Sequence, residues 1–355
     1  MKKNLNFLAV AALLVSVFWL GGCMLQFGNE KPAGVAGIFK SYDKGTNWLQ
    51  KNLFLHSGGT GSIAGINIMS LTFDPQDNKA IYAATDANGL FYSYDSGESW
   101  MKAGPVGNGR IEAVAIDPKD KCTIFATFAN TILKSTDCSR SWKEVYIDTR
   151  ADKAVTALAI DPYNNSLIYA GNTAGDILLS ADGGGNWQVN KRLGDRVMKL
   201  MIASNDNRVI YAPTKGQGIF KTTDAAANWT NLSDSLKNFA GALEYKNLMF
   251  DFSQPNALLL VSKYGLIRTK DGGASWEAVK LITPPSSVDI FSAALNPKNS
   301  AEIYYATATT FYKTTDGGGN WITTRLPSTA VATYLAVDPV DSNVLYMGLT
   351  NIAKK

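Results

Sequence analysis

Residues 93–100 read SYDSGESW, and this octapeptide is one of seven copies of the pattern [S/T]-x-D-x-x-x-[S/T/N]-W. The seven tryptophans lie 52, 42, 45, 42, 47 and 45 residues apart, a spacing typical of one four-stranded blade of a β-propeller. The other six copies begin at Ser41, Ser135, Ser180, Thr222, Thr269 and Thr314.

A second repeated segment lies between the copies, as in ALAIDPYNNSLIYAG at 157–171. It consists of two apolar runs with a period of two, which is typical of strands and not of helices. Five of the seven segments carry Asp-Pro or Asn-Pro between the runs, where a residue without an N–H belongs in a turn. Each blade therefore has four strands, A to D, with the octapeptide on the turn between C and D.

The two ends of the repeat region are complementary halves of a blade. A C–D unit stands alone at 37–50, and an A–B unit stands alone at 334–349. We therefore predict an all-β, seven-bladed propeller over residues 36–350, with four-stranded antiparallel blades and one blade shared between the N- and C-terminal ends. Such closure covers the free sheet edges of an open array.

Composition excludes several classes of chemistry. The chain has 355 residues but one histidine, His56, and three cysteines, too few for the common zinc or iron clusters. No phosphate-binding loop or dinucleotide fingerprint occurs, so we expect no metal and no cofactor. The formal net charge is +4, and no block of five Lys or Arg residues occurs, so no nucleic-acid partner is expected.

The octapeptides resemble Asp-box (BNR) repeats, as found in sialidases, two-propeller xyloglucanases, the sortilin luminal domain and photosystem II assembly factors. We predict a structural role for them, with each aspartate accepting N–H bonds inside its own turn and each indole packing beneath it. Ser139 and Ala226 replace a turn glycine and should be strained by about 1 kcal/mol. The structural pairs are Asp43 and Trp48, Asp95 and Trp100, Asp137 and Trp142, Asp182 and Trp187, Asp224 and Trp229, Asp271 and Trp276, and Asp316 and Trp321.

The N-terminal segment has the pattern of an export signal. Lys2 and Lys3 precede an apolar run at 7–20, and the following Leu-Gly-Gly-Cys resembles the lipobox of bacterial lipoproteins. The resemblance implies a signal peptide over 1–22, a lipid on Cys23 and a tether over 23–35, with a short tail at 351–355. The protein would then be anchored to a bacterial membrane on its extracytoplasmic side; an ordinary signal peptide is the alternative.

The other two cysteines are predicted to form a disulfide. Antiparallel pairing of strands B and C in one blade brings Cys122 and Cys138 to the same end of the sheet. An oxidising compartment permits the bond, which would stabilise the fold by roughly 3 kcal/mol. Two free buried thiols are the alternative.

The first functional hypothesis is a non-catalytic binding or assembly scaffold, tethered to the membrane, that recognises a protein or peptide. Propeller ligands usually bind the face formed by the D–A and B–C loops, and charged residues cluster there in the sequence. Ordinary solvated loop charges explain the same pattern equally well. The candidate ligand-face residues are Arg110, Glu112, Lys153, Arg196, Lys199, Lys246 and Asp289.

The alternative hypothesis is a glycoside hydrolase of the xyloglucanase type acting on a polysaccharide. The stretch YAATDANGLFYSYDSG at 82–97 resembles the xyloglucanase blade that carries a catalytic aspartate, which places that role at Asp86. The resemblance also implies a partner carboxylate from a second propeller, for which the seven repeats offer no counterpart. Asp148, Asp152, Asp176 or Asp195 could take its place only in a new arrangement. Every tryptophan after Trp19 belongs to an octapeptide, so none is left for a sugar-binding platform, and the sequence favours the non-enzymatic hypothesis.

Overall fold

The computed structural model describes residues 35–352. The predicted signal segment, Cys23, most of the tether and the end of the tail lie outside the described residues. Within residues 35–352, no helix is long and apolar enough to span a membrane.

Strands account for almost all regular structure in the described chain. Four precede the first complete blade: β1 (Gly37–Ser41), β2 (Leu49–Gln50), β3 (Leu53–His56) and β4 (Gly59–Ser62). Blades 1 to 3 follow as β5 (Ile68–Phe73), β6 (Ile81–Thr85), β7 (Leu90–Ser93), β8 (Ser99–Lys102); β9 (Val114–Ile116), β10 (Ile124–Phe128), β11 (Thr131–Ser135), β12 (Lys143–Ile147); and β13 (Val155–Ile160), β14 (Ile168–Asn172), β15 (Asp176–Ser180), β16 (Gln188–Arg192).

Blades 4 to 6 repeat the same order. They are β17 (Met201–Ile202), β18 (Ile210–Pro213), β19 (Ile219–Thr222), β20 (Thr230–Asn231); β21 (Tyr245–Phe250), β22 (Leu258–Ser262), β23 (Leu266–Thr269), β24 (Glu277–Ala278); and β25 (Ser292–Asn296), β26 (Asn299–Ala306), β27 (Thr310–Thr314), β28 (Ile322–Arg325). The last strands are β29 (Val331–Val337) and β30 (Leu345–Thr350), and the short helices are a 3₁₀ turn at Gly104–Val106 and α1 at Ser233–Leu236.

The seventh blade joins the two ends of the described chain and confirms the predicted closure. Its sheet has the order β2-β1-β30-β29, and β1 pairs antiparallel with β30 from Gly37 opposite Leu349 to Ser41 opposite Leu345. Leu345, Tyr346 and Met347 of β30 are completely buried. The protein is a seven-bladed β-propeller, and the joined blade is called the closing blade below.

An unpredicted hairpin extends blade 1 on its outer edge. Strands β3 and β4 pair with each other, and β3 lies parallel to β8, which gives a six-stranded sheet. The repeat pattern has no counterpart for this hairpin, and the Gly-rich stretch that forms β4 has a low strand propensity, so the sequence did not predict it. The backbone carbonyl of Lys51, just before β3, accepts a 2.8 Å hydrogen bond from the indole N–H of Trp100. Trp100 is completely buried, whereas the other six repeat tryptophans are only partly buried.

The seven repeated turns share one hydrogen-bond pattern. In the first, the Ser41 hydroxyl donates to Asp43 Oδ1 (2.7 Å) and accepts the Gly45 N–H (2.8 Å), while Asn47 donates its backbone N–H and side-chain amide to the same carboxylate. The equivalent bonds recur in the other six turns. Each carboxylate is thus used inside its own turn.

These turns lie on the same face as the A–B turns. The Ser96 N–H in the C–D turn of blade 1 donates to the Lys79 carbonyl in the A–B turn of that blade, at 2.9 Å. The equivalent bond joins Gly183 to Ser166 in blade 3. The D–A and B–C loops therefore occupy the opposite face of the ring, at the mouth of the central channel that the seven blades surround.

Ser139 provides a prediction on backbone strain. It occupies a turn position at φ 67°, where four other blades and the closing blade have glycine, and its buried hydroxyl has no hydrogen-bond partner among the described residues. We expect Ser139→Gly to raise the free energy of unfolding by about 1 kcal/mol, since it removes both costs. Ala226→Gly at φ 71° is the matched comparison and should gain less, because it also removes a buried methyl group. Urea unfolding measures both, and a less stable Ser139→Gly would contradict the assignment of strain.

The turn carboxylates also predict how stability depends on pH. The asparagine N–H four residues later lowers the pKa of Asp43, Asp182 and Asp224 to about 2. The unfolded value is about 3.9, so the unfolded chain binds protons first as the pH falls, and stability present above about pH 4 is lost between about pH 4 and 2. We expect a constant melting temperature from pH 8 to 5 and a steep fall below 4. Asp182→Asn should lower the neutral-pH melting temperature and flatten the acid limb; an unchanged limb would contradict this reading.

The two remaining cysteines lie side by side. Cys122 and Cys138 form a disulfide with Cα atoms 4.0 Å apart, and the Cys138 N–H donates to the Cys122 carbonyl at 3.2 Å. The bond ties the A–B turn of blade 2 to its C–D turn.

Candidate active site at the channel mouth

The innermost strands of the seven blades surround a central cavity of about 570 Å³. Every blade contributes lining residues, from Met69 in blade 1 to Tyr334 in the closing blade. This volume lies within the range of roughly 300–1,000 Å³ that is common for ligand sites. The cavity opens on the face of the D–A and B–C loops and is the principal candidate for a functional site.

Two carboxylates share one guanidinium beside the cavity: Arg110 and Glu112 line it, and Asp86 is bonded to Arg110. Arg110 donates from Nη1 to Asp86 Oδ1 at 2.7 Å and from Nε to Glu112 Oε1 at 2.9 Å. Because one guanidinium bridges both groups, their bonded oxygen atoms lie no more than about 8 Å apart, an upper limit compatible with the separation of about 5–10 Å in glycosidase carboxylate pairs. The Asp86 side chain is 41% exposed, so a ligand can reach it.

The turn that carries Asp86 is rigid. Asp86 follows β6, and its N–H donates to the Asn67 carbonyl at 3.1 Å. Gly89 closes the turn at φ 80°, and an added Cβ there would lie 2.3 Å from the Gly107 carbonyl oxygen. Glycine is therefore required, and the turn stays pressed against the loop that leads to Arg110.

A second arginine reaches Glu112 from another blade. Arg196, in the loop before blade 4, donates from Nη2 to Glu112 Oε1 at 2.7 Å. Two cations thus converge on one carboxylate oxygen, and charge-assisted bonds of this kind fix a side chain strongly. Glu112 is held in place, while Asp86 remains the more accessible carboxylate.

The candidate ligand-face residues fall into two groups, those that line the cavity and those that do not. The residues of the first group line the cavity: Arg110, Glu112, Arg196, Lys199 and Lys246. The two others, Lys153 and Asp289, do not line it. Lys153 pairs with the neighbouring Asp152, and Asp289 accepts from Lys246 at 2.8 Å, so Lys153 lies outside the site and Asp289 is a neighbour of it.

A second pair of carboxylates lies on the same face, and both residues were named from the sequence as possible substitutes for the partner carboxylate, without a prediction that they meet. Asp148 and Asp176 are buried, and both accept bonds from Arg150 Nη2 (2.7 and 2.6 Å) and from the Asn172 amide (3.2 and 3.1 Å). The Arg150 guanidinium lowers the pKa of Asp148. Within residues 35–352, no group of three or more His, Cys, Asp or Glu residues could hold a metal ion. The pair ties blade 2 to blade 3. Its members were named singly from the sequence, and their pairing through Arg150 depends on how the two blades pack.

Comparison with known proteins finds relatives that this chain matches over only part of their length. No protein-family model matches the chain. It is 26% identical over 278 residues to a xyloglucanase of Paenibacillus sp., covering 71% of this chain and 24% of that protein. It is 22% identical over 316 residues to an oligoxyloglucan-reducing end-specific xyloglucanase of Emericella nidulans, covering 71% and 38%. The chain spans less than two fifths of the length of these curated relatives.

Solved structures agree with the fold. The GH74 enzyme of Niastella koreensis superposes with a TM-score of 0.63 at 16% identity, covering 80% of this chain and 51% of that one. A YCF48 protein bound to D1 peptide superposes with a TM-score of 0.61 at 17% identity, covering 80% and 94%. At these identities the likeness concerns the fold alone.

The curated relatives correct the first functional hypothesis. The sequence favoured a non-catalytic scaffold for a protein or peptide, but the curated proteins that match are xyloglucanases. That hypothesis was wrong because it treated the absence of a second propeller and of spare tryptophans as evidence against an enzyme. Neither absence bears on Asp86, Arg110 and Glu112, which the fold brings together at the channel mouth.

Proposed function

We propose that this protein is a glycoside hydrolase of the xyloglucanase type, with Asp86 and Glu112 as its two carboxylates. The observation that carries the proposal is the Arg110 bridge, which holds both groups within glycosidase range of each other at the mouth of a ligand-sized cavity. The xyloglucanase relatives support the substrate class. The repeated octapeptides are, on this proposal, Asp-box repeats of the kind those enzymes carry.

Glycoside hydrolysis requires a different role of each carboxylate. One carboxylic acid protonates the glycosidic oxygen as the bond to the anomeric carbon breaks, and the other, as a carboxylate, takes a proton from the attacking water or attacks the anomeric carbon itself. Arg110 and Arg196 orient Glu112, and the rigid turn orients Asp86. The cavity takes the sugar units that flank the scissile bond.

Hydrolysis by the full-length protein in detergent tests this proposal directly. Xyloglucan and unsubstituted β-1,4-glucan are incubated with the protein, and reducing ends and oligosaccharide products are measured. The Asp86→Asn/Glu112→Gln double variant, purified identically, serves as the blank for contaminating enzymes. Product release above that blank is expected, and release equal to the blank on every glucan would overturn the proposal.

We also propose that the protein is exported and lipid-anchored through Cys23, outside the described residues. The lipobox-like Leu20-Gly21-Gly22-Cys23 supports this. Bacteria that express the protein and are fed radiolabelled palmitate should label it, and Cys23→Ser should remove the label and release the protein from the membrane fraction. Equal labelling of the Cys23→Ser variant would contradict the anchor.

A further inference from the structure

The cavity beneath the carboxylates is lined by more cations than anions. Arg110, Arg196, Lys199 and Lys246 line it, whereas Glu112 is the one acidic lining residue in the described chain. Three of the four cations have acidic partners. Arg110 and Arg196 bind Glu112, and Lys246 binds Asp289.

Lys199 is the exception. Its ammonium donates to the Asn247 side-chain oxygen at 3.2 Å and to the Leu248 carbonyl at 2.9 Å, both of them neutral. No described carboxylate lies within salt-bridge distance. An ammonium has three N–H donors, so one has no acceptor among residues 35–352. A partly buried charge without a counter-ion costs free energy, and a ligand that supplies the negative charge would remove that cost.

A second unused donor lies in the same segment. The Nε of Arg196 is buried and has no hydrogen-bond partner among the described residues. Arg196 and Lys199 lie three residues apart and both line the cavity. The positive charge of Arg196 therefore adds to that of Lys199 in the cavity, and the ammonium of Lys199 is the donor proposed to meet a ligand.

The position of Lys199 is specific to blade 4. The innermost strands align through their pairing with the next strand, as in Phe73 opposite Ile81 and Ile202 opposite Ile210. Lys199 lies three residues before the aligned Ile202, and the same position is neutral in every other blade. Those residues are Ser70, Ala113, Ala157, Asn247, Ser292 and Tyr334, and all of them line the cavity. The fold does not need a cation at this position.

Burial of the ammonium agrees with a role in binding an anion. It lowers the pKa of Lys199 to about 8, so the group is still mainly charged at neutral pH. An anion beside it would favour the charged form further.

We propose that the cavity binds the carboxylate of a uronic acid unit in the polysaccharide, with Lys199 as its specificity residue. This inference rests on the proposed function, and it distinguishes the substrate from neutral xyloglucan. Charge-assisted hydrogen bonds to a sugar carboxylate would give the acidic chain an affinity about 10- to 100-fold above its neutral counterpart.

Two hexasaccharides with one backbone test the inference. Cellohexaose and the β-1,4-linked glucuronic acid hexamer differ at C6 alone, and their affinities are measured by calorimetry on the full-length Asp86→Asn variant. The acidic hexamer is expected to bind about 10- to 100-fold more tightly. Adding Lys199→Met, which replaces the stem of the side chain and removes the ammonium, should abolish the difference, and Lys199→Arg should keep most of it.

Lys221→Met is the matched control. Lys221 is also a partly buried lysine that donates to a backbone carbonyl, that of Gly272 at 2.9 Å, but it lies outside the cavity. Its replacement should leave the preference for the acidic hexamer unchanged. Melting temperatures of both methionine variants establish that they are folded.

Three outcomes would overturn the inference. They are equal affinity for the two hexamers, an acidic preference that survives Lys199→Met, and displacement of the acidic hexamer by polyglutamate or dextran sulfate at equal carboxylate or sulfate concentration. The last result would indicate an acidic peptide or a general polyanion as the ligand. None of them decides the proposed function, which is judged separately by sugar release from the wild-type protein.

Discussion

The Asp86→Asn substitution is expected to lower kcat/KM for polysaccharide hydrolysis by about 100- to 10,000-fold. The amide keeps the size of the side chain and can still contact Arg110, but it can neither give nor take a proton in the reaction. Glutamine at position 112 should have an effect of similar size for the same reason. Both variants should keep the wild-type melting temperature to within a few degrees, because neither carboxylate lies in the core.

The identity of the leaving group separates the two roles. An aryl glycoside whose phenol leaves without protonation restores the rate of a variant that lacks the general acid, and not that of a variant that lacks the base or nucleophile. We expect one of the two variants to recover on such a substrate and the other to stay inactive. Recovery of both, or of neither, would mean that Asp86 and Glu112 do not form the catalytic pair.

Asp206→Asn provides the matched control for these variants. Asp206 also accepts bonds from an arginine, Arg208, at 2.8–2.9 Å, but it lies in the A–B turn of blade 4 on the opposite face. Its replacement should leave kcat/KM unchanged. A comparable loss in this variant would show that the effect of Asp86→Asn came from general damage to surface ion pairs.

Removal of residues 331–355 is expected to abolish cooperative folding. This truncation deletes β29 and β30 and with them Leu345, Tyr346, Met347 and Leu349, all completely buried, and Leu335, which is almost so. Burial of five such side chains contributes about 10 kcal/mol, comparable with the entire stability of most domains. The truncation would also leave β1 and β2 without their sheet and expose the flanks of blades 1 and 6.

Calorimetry measures this outcome. The truncated chain should give no heat-absorption peak, while a chain that ends at Ile352 should melt as the full-length protein does. A truncated chain with a sharp transition near the full-length melting temperature would show that six blades are sufficient and that the closing blade adds little.

The sequence predicted the ring well because its periodicity is strong. Seven tryptophans at near-constant spacing, together with complementary half-blades at the two ends, specify both the number of blades and the way the ring closes. The hairpin β3–β4 escaped prediction, since it occurs once and half of it is glycine and small polar residues. A repeat can be recognised by comparison within the chain, whereas a single insertion has nothing to be compared with.

The candidate site could be predicted in part. Asp86 was named from the motif around it, and Arg110, Glu112, Arg196, Lys199 and Lys246 were named as loop charges. What the sequence could not provide was their arrangement, because Arg196 meets Glu112 across 84 residues of chain. The pairing of Asp86 with Glu112 through Arg110 depends on how two neighbouring blades are rotated about the channel, and local patterns carry no information on that angle.

The pairing of β1 with β30 has a consequence for how the protein is made. A chain that emerges from the ribosome or a translocation channel with its N-terminus first presents β1 early, but the partner of Gly37 is Leu349. One edge of the first strand can pair with β2 at once, but its other edge must wait for β30 until nearly the whole chain has been delivered. Such long-range pairing slows folding and leaves an open edge exposed to aggregation in the meantime. Protection of β1 by a chaperone during this interval would be as important to the yield of the protein as any contact in its finished ring.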